Sequence, residues 1–165
     1  MSITKMSHLG RLEGKIAIIT GGGLGLGQGI AEKFVHEGAR VLVFELNAAN
    51  GEAVASSLNA SGDADNALFF EGDVTNISHW QSAVKTCVEK FGGLDIVVNN
   101  AGVVHNAQAS YDVPESEFER IMKINVSPLY HSAKAVHPWF KKQGRGVFVN
   151  ISSISAPRPR PNLVW

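Results

Sequence analysis

At 165 residues, 44% of them hydrophobic and 18% charged, the chain is long enough for one domain with a proper core and is not composed like a disordered one. Fifteen basic residues balance fifteen acidic ones, giving a formal net charge of zero, which argues against a general nucleic-acid binder. The single cysteine, Cys87, excludes an intrachain disulfide and fits a reducing compartment.

Residues 1–14 read as a polar lead-in without an apolar core of signal-peptide length. No apolar run approaches the roughly 20 residues of a membrane helix. A cytoplasmic protein without a membrane or nucleic-acid partner is the expectation. Lys15–Thr20 is a short apolar run that ends at glycines, so it predicts a buried strand. Ile30 and Phe34, with Ala31 and Val35 beside them, predict a helix from Leu26 to His36, stopped by Gly38. Arg40–Glu45 predicts a second strand and residues 48–59 a weaker helix. Leu68–Glu71 predicts a third strand. Thr75 or Asn76 can cap the helix after it, whose Trp80, Val84, Cys87, Val88 and Phe91 share a face. Leu94–Asn99 predicts the fourth strand. Beyond a loop, Pro114 opens one long helix reaching about Lys142, with kinks at Pro128 and Pro138. Gly146–Ser152 predicts the fifth strand, and 156–165 a proline-rich loop.

Strict alternation of apolar strands with helices predicts an α/β fold: a doubly wound, Rossmann-like parallel sheet of about five strands in the order 3-2-1-4-5. No linker or internal repeat divides residues 15–165, which read as one nucleotide-binding domain.

The chemistry concentrates in Thr20-Gly21-Gly22-Gly23-Leu24-Gly25-Leu26-Gly27. A strand running into a glycine turn and then a helix lets backbone N–H groups and the helix N-terminus meet a phosphate. Glu45 lies 18 positions past Gly27, where a carboxylate can accept from the adenosine ribose hydroxyls and repel a 2′-phosphate. Leu24 supplies no positive charge for such a phosphate. The expected cofactor is NAD rather than NADP.

TGGGLGLG resembles the glycine turn of the short-chain dehydrogenase/reductase family, and Asn99-Asn100-Ala101-Gly102 its NNAG motif. Asp73-Val74 resembles the pair that meets adenine, Asn125 in KINV the active-site helix asparagine, and Asn150-Ile151-Ser152-Ser153 the end of strand five. The resemblance runs in order from residue 12 to 155. It implies cofactor contacts at Gly21, Gly25, Leu26, Gly27, Glu45, Asp73, Val74, Asn100, Ala101 and Gly102. Asp73 also suits helix initiation before Thr75, and both roles can coexist. Ser153 is implied as the hydroxyl that polarises a substrate oxygen. Asn125, expected in mid-helix, is implied to hold a proton-relay water on its backbone carbonyl at a kink.

The family's proton-transferring Tyr, with a Lys four positions on, falls roughly a dozen residues past the catalytic Ser; this chain ends twelve positions past Ser153. Tyr130 and Lys134 have that spacing but precede strand five, so they read as a chance match. The expectation is therefore a portion of a longer enzyme, inactive by itself, with strand five a bare sheet edge. The parent would interconvert a secondary alcohol and a ketone, as a homo-oligomer (dimer or tetramer). A non-catalytic nucleotide-binding or scaffold protein is the alternative, and a methyltransferase of similar sheet order ranks last. His105 could line a substrate pocket, though it reads more simply as a loop residue. Cys87 reads as core. The histidines have no metal-ligand spacing, so no metal is expected.

Overall fold

The computed structural model describes residues 10–60, 65–163 and 165. Residues 1–9 of the lead-in lie outside them. In chain order the elements are β1 (Ile16–Thr20), α1 (Gly25–His36), β2 (Arg40–Glu45), α2 (Ala48–Ala60), β3 (Ala67–Glu71), α3 (Ile77–Phe91), β4 (Ile96–Asn99), α4 (Glu115–Asn125), α5 (Ser127–Gln143) and β5 (Val147–Asn150), with a 3₁₀ turn at Ser110–Asp112.

The five strands pair in parallel and their order in the sheet is β3-β2-β1-β4-β5, as the alternation predicts. β1 lies in the middle, and all five of its residues are buried. Such a strand is apolar on both faces, and successive side chains still point to opposite sides. Ile18, Leu42, Phe44 and Val97 join Trp80, Cys87 and Phe91 of α3 and Val136 and Phe140 of α5 in one core. Ile19, Val41, Val43 and Val98 join Ala31 of α1 and Val54, Ala55 and Leu58 of α2 in the other. Trp80 is fully buried against Phe44, their rings meeting edge to face with centroids 5.1 Å apart.

Local rules explain the element ends. Asn76 caps α3, its side chain accepting from Ser78 N–H at 2.9 Å. Residues 10–14 are held on the far end of α1, where Leu12 N–H donates to the Glu37 carbonyl at 2.8 Å. The Lys33 ammonium, and then the Arg11 N–H, hold the Glu37 carboxyl down at about 2.

The expected single helix over 114–142 is two. Pro114 caps α4, which ends at Asn125, and Val126 begins the turn into α5. Pro128 has no N–H to donate, and Leu129 N–H goes to the Val126 carbonyl at 3.1 Å. The helical ladder therefore breaks at this point. By contrast α5 runs through Pro138 without ending. β5 forms the outer edge of the sheet, with Val147 and Val149 exposed, as expected of a bare edge.

Burial in the α3 core pushes the Cys87 thiol up to about 12, and the thiolate is the reactive form. Iodoacetamide at pH 8 is expected to leave the native chain unlabelled and to label it fully in denaturant. Rapid native labelling, read by intact mass, would contradict this packing.

Candidate functional site

The carboxyl ends of β1 to β4 lie at one end of the sheet. The chain steps from β1 outward to β2, and later to β4 on the other side, leaving a crevice between β1 and β4. Open α/β sheets bind ligands at such a switch point. Two clefts open there. One, of about 440 Å³, is lined by Gly21, Glu45, Asp73, Val74, Ala101 and Gly102, with Arg120 and Lys123 of α4 opposite. The other, of about 800 Å³, is lined by Asn100, Ala101, Gly102, Asn125 and Ser153, with His105 among its walls. Ala101, Gly102 and Val103 line both.

The glycine turn begins where β1 ends. A β-carbon on Gly27 would collide with the Gly21 carbonyl and crowd the Asn100 side chain, so the start of α1 can lie this close to the strand only with glycine there. Gly25 has φ +58, and a β-carbon there would meet open space; its requirement is conformational, not steric. No side chain caps α1 and its first turn has no acidic residue. The first N–H groups are thus free of side-chain competitors and can receive an anion. Gly25 and Leu26 are exposed at this helix end and Gly27 is buried. None of the three lines either cleft.

Thr20 joins the two strand ends. Its Oγ1 accepts from Asn100 N–H at 2.9 Å and Ala101 N–H at 3.0 Å, and donates to the Val98 carbonyl at 3.3 Å. Asn100 Nδ2 returns to the Thr20 carbonyl at 2.9 Å and the Gly21 carbonyl at 3.3 Å. Thr20 opens the glycine motif, but nothing in the motif marks it for this role. Its one sequence signal is a polar residue closing an otherwise apolar strand.

Glu45 is half-buried and already committed to backbone donors. Its Oε2 accepts from Gly23 N–H at 3.1 Å, and its Oε1 from Leu46 and Asn47 N–H at 2.9 and 3.0 Å. A carboxylate has about four lone-pair sites, so acceptor capacity remains. Asp73 Oδ1 accepts from Thr75 N–H at 2.8 Å.

Asn125 stands at the end of α4, not in mid-helix as expected. Its Oδ1 accepts from Val103 N–H and its Nδ2 donates to the Val103 carbonyl, both at 2.8 Å. The amide thus clamps the wall shared by the two clefts. The α-helical partner of the Asn125 carbonyl would be Leu129 N–H, which is given to Val126 instead, so this carbonyl sits at a helix break. Ser153 is exposed in the larger cleft and its Oγ accepts from Ser155 N–H at 3.1 Å. That bond uses a lone pair and leaves the hydroxyl proton free to donate.

Neither tyrosine lines either cleft. Tyr111 is 88% exposed and Tyr130 63%. The Lys134 ammonium sits 5.6 Å from the Tyr130 ring centroid on the surface of α5, and neither residue lines Ser153's cleft. His105 is buried at 3% exposure with Nδ1 2.7 Å from the Asn106 carbonyl. Arg120 and Lys123 were not anticipated; Arg120 is paired with Glu117, which lowers the Glu117 carboxyl and raises the guanidinium. No group of three or more metal-ligating side chains occurs among the described residues. No helix among them is long and apolar enough to cross a membrane.

Thr20→Val keeps the shape and removes the oxygen on which two amides converge. Urea unfolding is expected to show a loss of about 1–3 kcal/mol; an unchanged midpoint would mean that the junction contributes nothing.

Residues 15–165 match the family model described as short chain dehydrogenase. The 4-formylbenzenesulfonate dehydrogenase TsaC1/TsaC2 of Comamonas testosteroni is 40% identical over 154 residues, 93% of this chain and 60% of that protein. The 3-alpha-(or 20-beta)-hydroxysteroid dehydrogenase of Mycobacterium tuberculosis (strain ATCC 25618 / H37Rv) is 39% identical over 145 residues, 88% of this chain and 54% of that one. Among solved structures, 3-ketoacyl-(acyl-carrier-protein) reductase from Brucella melitensis, complexed with NADH, superposes with a TM-score of 0.87 at 39% identity, covering 93% of this chain and 63% of that one. An NAD+-bound xylitol dehydrogenase gives 0.86 at 29%, covering 93% and 58%. The chain therefore spans about three fifths of the length of these relatives. With this match, the strand order and the glycine turn in agreement, the chain belongs to the short-chain dehydrogenase family.

Proposed function

We propose that residues 15–165 form the NAD-binding domain of an oxidoreductase that interconverts a secondary alcohol and a ketone. The observation that carries this reading is the pairing of an uncapped α1 N-terminus behind a glycine turn with the Glu45 carboxylate at the neighbouring strand end. Cofactor-bound relatives of the same fold support it. The lone buried cysteine fits a cytoplasmic protein.

The residues present fit a dinucleotide. Gly25 and Leu26 present the helix N-terminus to the pyrophosphate. Glu45 receives the adenosine ribose, and Asp73 and Val74 flank the adenine beside the small cleft. Asn100, Ala101 and Gly102 lead from this cleft into the larger one. When bound, the nicotinamide supplies the hydride chemistry. Ser153 donates its hydroxyl proton to a substrate oxygen and stabilises charge developing there. Asn125 fixes the wall of the substrate side, and its carbonyl at the helix break is placed to hold a water. With Tyr111 and Tyr130 both outside the clefts, the 165-residue chain is expected to bind nucleotide without turning it over. The parent assembles as a dimer or tetramer.

Magnitudes explain why Glu45 selects NAD. A hydrogen bond to a ribose hydroxyl contributes about 0.5–1.5 kcal/mol net. Like charges about 4 Å apart cost about 4 kcal/mol at an effective dielectric near 20. Rejection of a 2′-phosphate therefore outweighs attraction of the hydroxyl.

Fluorescence titration of the chain is expected to show NADH bound more tightly than NADPH, and Glu45→Ala to narrow that ratio by at least about tenfold. No NADH uptake, or an unmoved ratio, sinks the cofactor assignment. In the longer enzyme, Ser153→Ala is expected to lower kcat by about 10²–10³ with secondary alcohols. Undiminished turnover would remove Ser153 from the chemistry.

A further inference from the structure

The loop after β3 forms one wall of the small cleft, yet much of its backbone is held from behind. Asp73 N–H donates to His79 Nδ1 at 2.8 Å. The Val74 carbonyl accepts from Trp80 Nε1–H at 2.8 Å and lies 3.4 Å from His131 Nδ1. Trp80 is fully buried in the core of the sheet and His79 is half-buried beside it on α3. Two adjacent side chains at the start of one helix thus grip the loop on either side of its Asp73–Val74 peptide.

The His79 bond fixes the state of its ring. A backbone N–H can donate only to a nitrogen with a lone pair, so Nδ1 must be unprotonated and the ring proton must reside on Nε2. An imidazolium has no such lone pair. Protonation would leave the Asp73 N–H without its acceptor and set a cation against it.

We infer that His79 is a positioning residue for the nucleotide: its neutral ring holds the Asp73–Val74 loop in the shape that receives adenine, and a proton on the ring releases that loop. The inference rests on the nucleotide reading given above. A loop held in its binding shape before the ligand arrives costs less to order, so releasing it weakens binding.

The ionisable groups around this corner have distinct roles. The Asp73 carboxylate, on the loop itself, is turned to Thr75 N–H. His131, from α5, faces the Val74 carbonyl, to which a ring N–H would donate; protonation there preserves the donor and acts in the opposite sense. Arg120 and Lys123, from α4, line the far side of the cleft, and Arg120 is paired with Glu117. Among these, only His79 loses an acceptor on acidification.

The experiment has two arms on the 165-residue chain. In the first, long-range ¹⁵N–¹H NMR at pH 8 is expected to find His79 Nδ1 unprotonated and Nε2 protonated; the reverse tautomer overturns the inference. In the second, calorimetry measures ADP-ribose binding at pH 8 and pH 5.5. Affinity is expected to fall about tenfold on acidification, the equivalent of one lost hydrogen bond. His79→Asn places a non-titrating oxygen acceptor near the Nδ1 position, so it is expected to bind as the unaltered chain does at pH 8 and to lose the acid-induced drop. His79→Ala is expected to bind about tenfold more weakly at pH 8. Should His79→Asn keep the full acid loss, or His79→Ala match the unaltered chain at pH 8, His79 does not position this loop. Failure of the unaltered chain to bind ADP-ribose at pH 8 overturns the nucleotide reading and this inference together, whereas binding that neither variant moves overturns this inference alone.

Discussion

The site depends on one hydroxyl. Thr20 closes β1, and its oxygen receives the first two amides after β4, 80 and 81 residues further along the chain. Asn100 answers by donating to the last carbonyl of β1 and the first of the glycine turn. Parallel strands bring these ends side by side, but their ladder stops where the strands diverge. Beyond that point the backbone groups need other partners or water. The Thr20–Asn100 junction supplies them and holds the crevice open at a fixed width. Neighbouring amides at the head of α1 stay without side-chain caps, so what this corner retains unsatisfied is a set of donors suited to an anion.

The carboxylate at the end of β2 stands in the same relation to its surroundings. Glu45 is held by three backbone N–H groups, one from the glycine turn and two from its own loop. Those bonds keep the side chain from swinging into solvent. A freely rotating glutamate could turn away from an approaching phosphate; one fixed at three points cannot do so cheaply. The same contacts tie the glycine turn to β2, so the uncapped head of α1 and the Glu45 carboxylate belong to one corner.

Much of this was legible in the sequence because it is local. The glycine turn, the acid 18 positions on and the alternating apolar runs are each readable within a short window, and the parallel order follows from the alternation. Cys87 as core follows from the helical spacing, and of the two capping residues the sequence offers, Thr75 and Asn76, the structure uses Asn76. What escaped depends on distant partners. Thr20 is a lone polar residue until Asn100 is brought beside it. His79 is not marked by any motif, and its bond is to the Asp73 amide six residues back. The helical pattern carries on beyond Pro128 and so predicts a kink there; the missing Pro128 N–H and the diverted Leu129 N–H end the ladder instead. For the same reason the sequence predicts Asn125 in mid-helix, whereas it ends its helix with both amide functions bonded to the backbone of Val103.

That last bond pair links the two halves of the crevice. Residues 101–103 are the wall between the clefts, and a wall of small residues in a loop has little packing of its own. Asn125 fixes it by donating to and accepting from Val103, and Thr20 fixes its start through Ala101. A side chain larger than glycine at 102 would meet Asn125 Oδ1 at 3.4 Å, an ordinary contact distance, so the clamp lies directly over this wall. The small cleft borrows its shape from α3 through the Asp73–Val74 loop, and the large one from the α4–α5 break through Asn125. The two clefts thus share one wall, residues 101–103, and their other sides are held by different helices.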